Sequence, residues 1–328
     1  MLIDFETAVS IFEKIPLASR LPSFHPSYLV ADAARECGAT RPVFFLYQEA
    51  AHVFYFPFLL GPIPGTPFFD IQSPYGYGGP LLSSQDPEFL NRAYRAYRAW
   101  CAEQNVVAEF IRFHPLAENW QSYDGERLYN RETVWLDLAA DSAYEQRVRT
   151  ALKKAAKDLS IRFSDAAQSL DHFREIYWQG MQAIGAQPFY MFKNDYFEAF
   201  KGWKDFFCLF AFLEEHCVAA AMFLRTGQSM EYHLSACLEA GRKFSATNLL
   251  IHEAAQIGKA AGVQSLHLGG GTSSVPEDKL LFFKRGFSPL RSRFYIGKKI
   301  LNPIIYDQLK ADWQKKNGVV NNNILFYR

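Results

Sequence analysis

Three successive glycines and a nearby lysine give one segment of this sequence a clear potential for chemistry. Gly269 to Gly271 follow a predicted strand, and Lys284 lies near the end of a short predicted helix that Asp278 begins. Because glycine has no side chain and tolerates positive φ, another molecule can approach its backbone closely. A cation beside such a bare backbone suits an anionic or carbonyl-bearing ligand. The alternative is a tight strand-to-helix turn with a solvated lysine whose stem covers Phe283.

A second group of polar residues stands at the start of a long predicted helix. Arg242, Lys243 and Ser245 lie where the helix of residues 245–261 is expected to begin. The free N–H groups and the dipole of a helix N-terminus favour phosphates, by roughly 0.3–1 kcal/mol per charge at exposed sites. The group therefore predicts a phosphate site, although Ser245 is explained equally well as the N-cap of the helix.

Tyr232 and His233 are neighbours on the strand predicted over residues 230–235. Because successive side chains of a strand point to opposite faces, the two are expected on different sides of the sheet. One of them would then face the site and transfer a proton or position a substrate. The alternative for each is ordinary packing within the sheet.

The first half of the chain offers its own binding candidates. Arg112 and His114 end a predicted strand just before a proline, and a guanidinium can hold a phosphate or carboxylate through two hydrogen bonds. Tyr75 and Tyr77 lie in residues 57–80, a stretch rich in Pro, Gly and Tyr that is expected to be a long loop, and such loops are often functional. For His114 the alternative is a purely structural exit from the strand.

The elements that must position these residues follow from the periodicity of the apolar side chains. Helices are predicted over residues 5–15, 27–37, 88–104, 166–184, 195–201 and 245–261, from Asp141 and from Pro303; strands are predicted over residues 43–47, 52–56, 106–113, 133–138, 206–212, 217–224, 230–235, 265–268, 294–297 and 323–327. Antiparallel strands, a long helix and one more strand thus occur twice in the same order. We predict an α/β (α+β) fold of two similar units, residues 1–140 and 141–328, with mixed, mostly antiparallel sheets flanked by helices.

The composition narrows the class of protein. Of the 328 residues, 49% are hydrophobic and 21% are charged, which predicts a substantial core. The net charge of +1 gives no overall field toward DNA or a membrane, and no apolar run is long enough for a transmembrane helix. The basic helix at residues 147–157 is expected to be a solvated face, with contact to RNA or a nucleotide phosphate as the alternative.

The cysteine pattern and the absence of several motifs argue against further classes of protein. The cysteines are odd in number, widely spaced and without a CxxC pair: Cys37, Cys101, Cys208, Cys217 and Cys237. They predict free thiols and no metal site, and with an N-terminus unlike a signal peptide they predict a cytoplasmic protein. Hydrolase, metalloprotease and nucleotidase classes gain no support, because no Ser-His-Asp order, HExxH, Walker loop or GxGxxG occurs.

The repeated unit resembles the GNAT acyltransferase fold, and several motifs resemble its FemABX-like branch. These are Tyr75-Gly-Tyr-Gly-Gly-Pro80, Phe113-His-Pro-Leu116, Leu268-Gly-Gly-Gly271 with Asp278, and Phe283-Lys284. The branch includes tandem-GNAT peptidyltransferases of cell-wall synthesis and BioF2-like acetyltransferases, and the resemblance covers about residues 20–310. Two departures stand out. The coiled-coil arm of many peptidyltransferases is missing, and residues 239–247 keep one glycine and the cations of the GNAT pyrophosphate loop but not its Q/R-x-x-G-x-G/A pattern.

The resemblance implies an acyltransferase that moves an acyl or aminoacyl group to an amine or hydroxyl of a cell-envelope or nucleotide-sugar precursor. It implies the following roles: catalysis for Lys284, Tyr232 and His233; donor binding in the second unit for Arg242, Lys243, Ser245, Gly269, Gly270 and Gly271; acceptor binding in the first unit for Arg112, His114, Tyr75 and Tyr77. No cofactor is expected to be bound. The donor would be acyl-CoA, aminoacyl-tRNA or a carrier-bound acyl group, and the acceptor a small or nucleotide-linked molecule. The alternatives are an acyl-CoA-dependent N-acetyltransferase of a small molecule and a non-catalytic GNAT-fold binding module.

Overall fold

The computed structural model of the protein describes residues 1–35, 39–141, 143–275 and 277–328. Its helices are α1 (Phe5–Lys14), α2 (Pro26–Arg35), α3 (Pro87–Glu103), α4 (Gln146–Asp158), α5 (Ser169–Ala183), α6 (Asn194–Phe200), α7 (Glu239–Lys243), α8 (Ala246–Ala260), α9 (Lys279–Arg285) and α10 (Pro303–Asn317). None of the helices in these ranges combines the length and the apolar character that crossing a bilayer requires.

The strands are β1 (Leu2–Ile3), β2 (Arg41–Glu49), β3 (His52–Pro62), β4 (Phe69–Gln72), β5 (Leu81–Leu82), β6 (Val106–Arg112), β7 (Glu126–Asp137), β8 (Leu159–Ser164), β9 (Phe206–Leu213), β10 (His216–Thr226), β11 (Ser229–Cys237), β12 (Ser265–Gly269) and β13 (Arg291–Ile300). Local sequence explains several helix starts. Before α3, for example, the Asp86 carboxylate accepts hydrogen bonds from the backbone N–H groups of Glu88 and Phe89, and Pro87 occupies the first turn.

Most predicted elements are confirmed, and three predictions need correction. The expected loop over residues 57–80 contains the end of β3 and all of β4, and the helix expected from Asp141 begins at Gln146. The short strands β1 and β5, strand β8 and helix α7 were not predicted. The strand expected over residues 323–327 is a turn instead, because Ile324 to Phe326 are buried side by side while the Arg328 guanidinium holds the Asp70 carboxylate at 2.8 and 2.9 Å. Of the cysteines predicted to be free thiols, Cys101, Cys208, Cys217 and Cys237 are free, and Cys37 lies outside the described residues.

The chain forms two compact units. Unit 1 comprises Met1–Ile15, Ser23–Asn130 and Phe294–Arg328, and unit 2 comprises Pro16–Pro22 and Arg131–Arg293. These bounds differ from the 1–140 and 141–328 predicted above, because each unit is completed by a strand that lies distant in sequence. Strand β13 pairs with β6 in unit 1, and β7 pairs with β12 in unit 2.

Both units follow one plan. In unit 1, β2, β3 and β4 are antiparallel neighbours, α3 follows, and β6 returns parallel to β4. In unit 2, β9, β10 and β11 are antiparallel neighbours, α7 and α8 follow, and β12 returns parallel to β11. The mixed, mostly antiparallel sheets flanked by helices that the sequence predicts are therefore confirmed, with the same strand–helix–strand arrangement in each unit.

Each unit has its own core. In unit 1, rings of β2 and β3 pack against α3, and the fully buried Glu109 carboxylate accepts hydrogen bonds from Tyr97 and Tyr123, both of 2.6 Å. In unit 2, α8 packs against β10 through Leu250, Ala254 and neighbouring apolar side chains. Burying a leucine of this kind contributes about 1.5–3 kcal/mol, so packing fixes α8 firmly on the sheet.

Candidate active site

The parallel strands β11 and β12 of unit 2 pair over only part of their length. Their register covers Ser229 with Ser265, Met230 with Leu266, and Glu231 with His267. Strand β11 then continues to Cys237 and β12 to Gly269 without further pairing between them in the described residues. The two strands therefore leave an opening beyond this point, and the predicted residues Tyr232, His233 and Gly269 to Gly271 follow the last paired residues of the two strands.

A register shift in β11 orients the side chains at this opening. The partner of Met222 on β10 is Leu234, whereas the partner of the next residue, Phe223, is Tyr232, so His233 is the extra residue of a β-bulge. Bulges turn side chains away from the regular alternation and are frequent next to functional sites. Here the bulge lies where β11 leaves β12.

The glycine loop that follows β12 has a conformation and a packing that glycine alone satisfies. Gly269 has a φ of 77°, in the left-handed region. A Cβ on Gly271 would lie 2.2 Å from a carboxylate oxygen of Asp278, so a side chain there would displace the carboxylate. The glycines thus let the loop fold tightly back onto the start of α9.

Asp278 holds this loop in place. One of its oxygens accepts from the backbone N–H of Leu281 at 2.8 Å and so caps α9, as predicted. The other accepts from the backbone N–H groups of Thr272 and Ser273 at 2.9 and 3.0 Å, and from both hydroxyls. Burial by itself raises the pKa of Asp278, but these hydrogen bonds outweigh it and hold the pKa below its ordinary value. The carboxylate is therefore ionised and closes the loop at neutral pH.

Lys284 is buried, with 7% of its surface exposed, so the solvated lysine of the alternative interpretation is excluded. Its amine donates a hydrogen bond to the carbonyl oxygen of Gly270 at 2.7 Å. The neighbouring carbonyl, of Gly271, accepts from the guanidinium of Arg131, also at 2.7 Å. Burial lowers the pKa of Lys284 to about 7, Asp278 opposes this, and Arg131 adds to it. A lysine that is poised between its two protonation states thus lies at the end of β12.

Tyr232 and His233 point to opposite faces, as predicted. The Lys284 amine lies 5.9 Å from the centre of the Tyr232 ring, and the Tyr232 hydroxyl is hydrogen-bonded to Ser235. Burial raises the pKa of Tyr232 to about 12, so its hydroxyl keeps its proton. His233 faces α6, where its Nε2 is hydrogen-bonded to the Tyr196 hydroxyl. The structure therefore brings Tyr232 to Lys284 and places His233 on the other side of the sheet.

The cations predicted to bind the donor lie just before α8. Arg242 donates to the carbonyl oxygen of Cys237 at 3.0 Å, and the exposed Lys243 pairs with Glu239 at 2.9 Å. Ser245 occupies the N-cap position, but its φ of 60° is left-handed and its side chain makes no capping hydrogen bond. Capping therefore does not explain Ser245, and positive groups flank the N-terminus of α8.

The four residues predicted to bind the acceptor come together in unit 1. The rings of Tyr77 and His114 lie edge to face with centres 5.0 Å apart. His114 is fully buried, and its Nδ1 accepts from the backbone N–H of Leu116 at 3.1 Å. Arg112 lies over the ring of Phe110, 4.9 Å from its centre. Burial lowers the pKa of Arg112, while the nearby Asp32 raises it.

Two residues that organise this region were missed by the sequence reasoning. Asp32 of α2 is completely buried, accepts from the backbone N–H of Tyr75 at 2.9 Å and pairs with Arg35 at 3.0 Å. Asn119 accepts from the backbone N–H of His114 at 3.2 Å and donates to the carbonyl of Gly78 at 2.9 Å. Neither belongs to a motif, so only the fold reveals their part in shaping the loop.

Comparison with known proteins agrees with the fold of the two units. Residues 142–285 match the family described as an acetyltransferase (GNAT) domain, and no curated protein matches the sequence. The crystal structure of FemX is similar with a TM-score of 0.71 and 13% identity, over 94% of this chain and 99% of that chain. The C-terminal domain of a putative lysylphosphatidylglycerol synthetase from Agrobacterium fabrum gives a TM-score of 0.58 at 14% identity, over 96% and 99%. A tandem GNAT protein from the clavulanic acid biosynthesis pathway gives a TM-score of 0.51 at 12% identity, over 91% and 97%. These likenesses extend over both units and therefore concern the fold of the whole chain.

Proposed function

Because the chain has the FemABX-like tandem GNAT fold and is an acyltransferase of that superfamily, we propose that its reaction takes place at the Lys284 loop. The acyl or aminoacyl group would pass to an amine or hydroxyl of a cell-envelope precursor. One observation carries this proposal. A buried lysine with a pKa of about 7 donates to the Gly270 carbonyl at the end of β12, beside the opening between β11 and β12.

Acyl transfer needs an aligned nucleophile and stabilisation of the negative charge that develops on the carbonyl oxygen. The acceptor nitrogen or oxygen forms a bond to the acyl carbon, and the bond from that carbon to the thioester sulfur or ribose oxygen of the donor breaks. The proton that the acceptor loses passes through solvent to the leaving thiolate or alkoxide. In its ammonium form, Lys284 would stabilise the oxyanion between these two steps. Tyr232 keeps its proton and can donate a hydrogen bond beside it.

His233 is assigned a positioning role instead of a catalytic one. Burial lowers its pKa to about 4, so it is neutral at pH 7, and its Nε2 is hydrogen-bonded to Tyr196. Since it faces α6 and Tyr232 faces Lys284, His233 would fix the bulge of β11 and thereby the direction of Tyr232. This role predicts a small effect of His233→Gln on turnover compared with Lys284→Ala.

The donor is proposed to bind with its phosphates at the start of α8. A helix N-terminus carries unpaired N–H groups and a partial positive charge, and Arg242 and Lys243 add full charges just before it. The match of residues 142–285 to the acetyltransferase family favours acyl-CoA as the donor, and aminoacyl-tRNA is the second candidate. Gly269, Gly270 and Gly271 would then lie closer to the reacting carbonyl than to the phosphates.

The acceptor is proposed to bind in unit 1 beside Arg112. This guanidinium lies in a largely desolvated position, and in the described residues it has no ion pair with a carboxylate. A phosphate or carboxylate of the acceptor would satisfy it through two hydrogen bonds. Tyr75 lies close enough to Arg112 to affect its pKa, and His114 supports the Tyr77 ring. Tyr75 and Tyr77 would contact the rest of the acceptor.

A transfer assay with a matched control tests the proposal. The donors are acetyl-CoA and aminoacyl-tRNA, and the acceptors are a nucleotide-linked cell-wall precursor and phosphatidylglycerol. Lys284→Ala is expected to lower kcat by about 10²–10³-fold, the loss typical of a group that stabilises an oxyanion. Lys279→Ala removes an exposed lysine from the same helix and should leave kcat unchanged.

The pH dependence adds an independent criterion. If the ammonium form stabilises the oxyanion, kcat should fall by about tenfold per unit as the pH rises above the Lys284 pKa of about 7. Unchanged turnover of Lys284→Ala would remove the lysine from the mechanism. Binding of donor and acceptor, seen as thermal shifts without turnover in any combination, would instead identify a binding module.

A further inference from the structure

The exposed side of α4 carries a set of cations that acyl transfer does not require. Val148 and Ala155 are buried and define the inner side of this helix. Arg149, Lys153 and Lys157 follow one another at intervals of four residues, so they form one row on the exposed side. In the described part of the chain, none of these three has a carboxylate within ion-pairing distance. A row of unpaired cations is notable in a chain whose net charge is only +1.

Apolar side chains are also exposed in unit 2, on α9 and the segment before it. Val275, Leu280 and Phe282 expose 54%, 37% and 60% of their surfaces. Arg147 of α4 joins the two elements, because its guanidinium lies 3.9 Å from the centre of the Phe282 ring and donates to the Phe282 carbonyl at 2.6 Å. Arg147 therefore connects the helix that carries the cation row with the exposed apolar side chains of α9, while the row itself lies on another side of α4.

This combination distinguishes between two polyanionic partners. RNA phosphates would satisfy the cations, and a nucleobase can stack on the free side of Phe282, but the aliphatic Val275 and Leu280 gain little from either. The boundary of an anionic bilayer accommodates both kinds of group, since headgroups attract Lys and Arg while exposed apolar side chains enter the acyl region.

We propose that this surface, the α4–α9 face (Arg149, Lys153, Lys157, Leu280 and Phe282), docks the protein reversibly onto an anionic lipid bilayer. Docking would bring α9, which carries Lys284, to the membrane surface, where a lipid-borne acceptor would be within reach. The proposal concerns docking alone and holds for whichever group the enzyme transfers.

The expected affinity for an anionic bilayer follows from the number of cations on this face. Each Lys or Arg close to an anionic bilayer strengthens partitioning by about fivefold. Removal of all three cations of the row should therefore weaken binding by about 100-fold at low ionic strength. Because salt screens exposed charges within about 10 Å at 0.1 M, binding of the wild type should also fall as salt is added.

Sedimentation with lipid vesicles tests this on the full chain without any substrate. The vesicles contain phosphatidylcholine with or without phosphatidylglycerol. The test variant Arg149→Gln/Lys153→Gln/Lys157→Gln is compared with Lys14→Gln/Lys315→Gln/Lys316→Gln, which removes the same charge from exposed positions of unit 1. Phe282→Ser is compared with Ile304→Ser, a change of another exposed apolar residue. Thermal unfolding establishes that each variant is folded.

The proposal expects binding to the phosphatidylglycerol vesicles only, a loss of about 100-fold in the test variant, a smaller loss in Phe282→Ser, and full binding in both controls. It is overturned if the wild type does not bind, if test and control variants lose binding equally, or if the wild type binds a tRNA through these cations and ignores vesicles. Wild-type salt dependence remains decisive if a variant fails to fold. Normal acyl transfer without vesicle binding would refute the docking face and leave the proposed function intact.

Discussion

Replacing Lys284 with methionine should change how the stability of this protein depends on pH. Burial lowers the pKa of Lys284 from its ordinary value of 10.5 to about 7 in the folded chain. Between these two values, the unfolded chain binds the proton and the folded chain does not. The free energy of unfolding therefore rises with pH across this window, and the cost of burying the charge is fully present only below pH 7.

The magnitude follows from the same two pKa values. For a single group, linkage gives a rise of about 2 kcal/mol in the free energy of unfolding between pH 7 and pH 9. Lys284→Met fills a similar volume but has no group that titrates, so it lacks this contribution. It also loses the hydrogen bond to the Gly270 carbonyl, which costs about 1 kcal/mol at every pH and leaves the pH dependence unaffected.

Urea unfolding at pH 7, 8 and 9 measures this effect. The stability of the wild type relative to Lys284→Met should increase by about 2 kcal/mol from pH 7 to pH 9, while all other titrating groups cancel in the difference. Lys279→Met removes an exposed ammonium from the same helix but keeps Lys284, so it should follow the wild type. A stability difference that is the same at pH 7 and pH 9 would mean that Lys284 stays charged when buried, and the reasoning would fail.

Two further predictions concern stability alone. Gly271→Ala should lower the free energy of unfolding by about 1–3 kcal/mol, because the new Cβ would lie 2.2 Å from the carboxylate that caps α9. In the control Gly202→Ala, the new Cβ has no atom within 4 Å, so the stability should hardly change. Equal urea midpoints for both variants would contradict this prediction. Arg328→Ala should cost about 3 kcal/mol, since it leaves the fully buried Asp70 without its cation. The control Arg98→Ala breaks an ion pair at the surface and should lower the free energy of unfolding by less than about 1 kcal/mol in the same measurement. A similar loss of stability in Arg328→Ala and Arg98→Ala would show that the burial of Asp70 is unimportant.

The sequence indicates the residues of the Lys284 loop but not their electrostatics. Glycine spacing, the capping aspartate and the lysine are all local signals within residues 269–284, and each is found where it was predicted. The low pKa of Lys284 arises from burial and from Arg131, whose guanidinium reaches the Gly271 carbonyl from 140 positions earlier in the chain. Periodicity reports only neighbours along one element, so a contact of this range becomes visible only in the folded sheet.

Contacts between residues distant in sequence also determine the bounds of the two units and the shape of the loop in unit 1, and local patterns do not predict them. The order of elements predicts the repeated plan, but it does not show that β13 completes the first sheet and β7 the second. Asp32 holds the Tyr75 backbone from 43 positions away, and no motif links these two residues. Such pairings are decided by which strand edges and buried charges remain to be satisfied after the local elements have formed.

The two units differ in the contacts made beyond the paired part of their parallel strands, and this difference is relevant to where the donor would bind. In unit 1, polar contacts continue past the paired part of β4 and β6: Ser73 donates from its backbone to the Phe110 carbonyl at 3.1 Å, Gly78 donates to the Arg112 carbonyl at 2.7 Å, and Gly78 bridges to Phe113. In unit 2, the pairing of β11 with β12 ends at Glu231 in the described residues.

An extended acyl carrier needs free backbone groups of this kind to bind along a strand edge. In the described residues, β11 does not pair with β12 beyond Glu231, so the opening beside Lys284 offers backbone groups of β11, whereas the corresponding strand end in unit 1 is occupied by its own loop. The same strand end is therefore open in unit 2, where the strands separate, and closed in unit 1, where a loop covers it. We therefore propose that the donor binds at the open strand end of unit 2 and that the closed strand end of unit 1 presents Tyr75, Tyr77 and Arg112 to the acceptor.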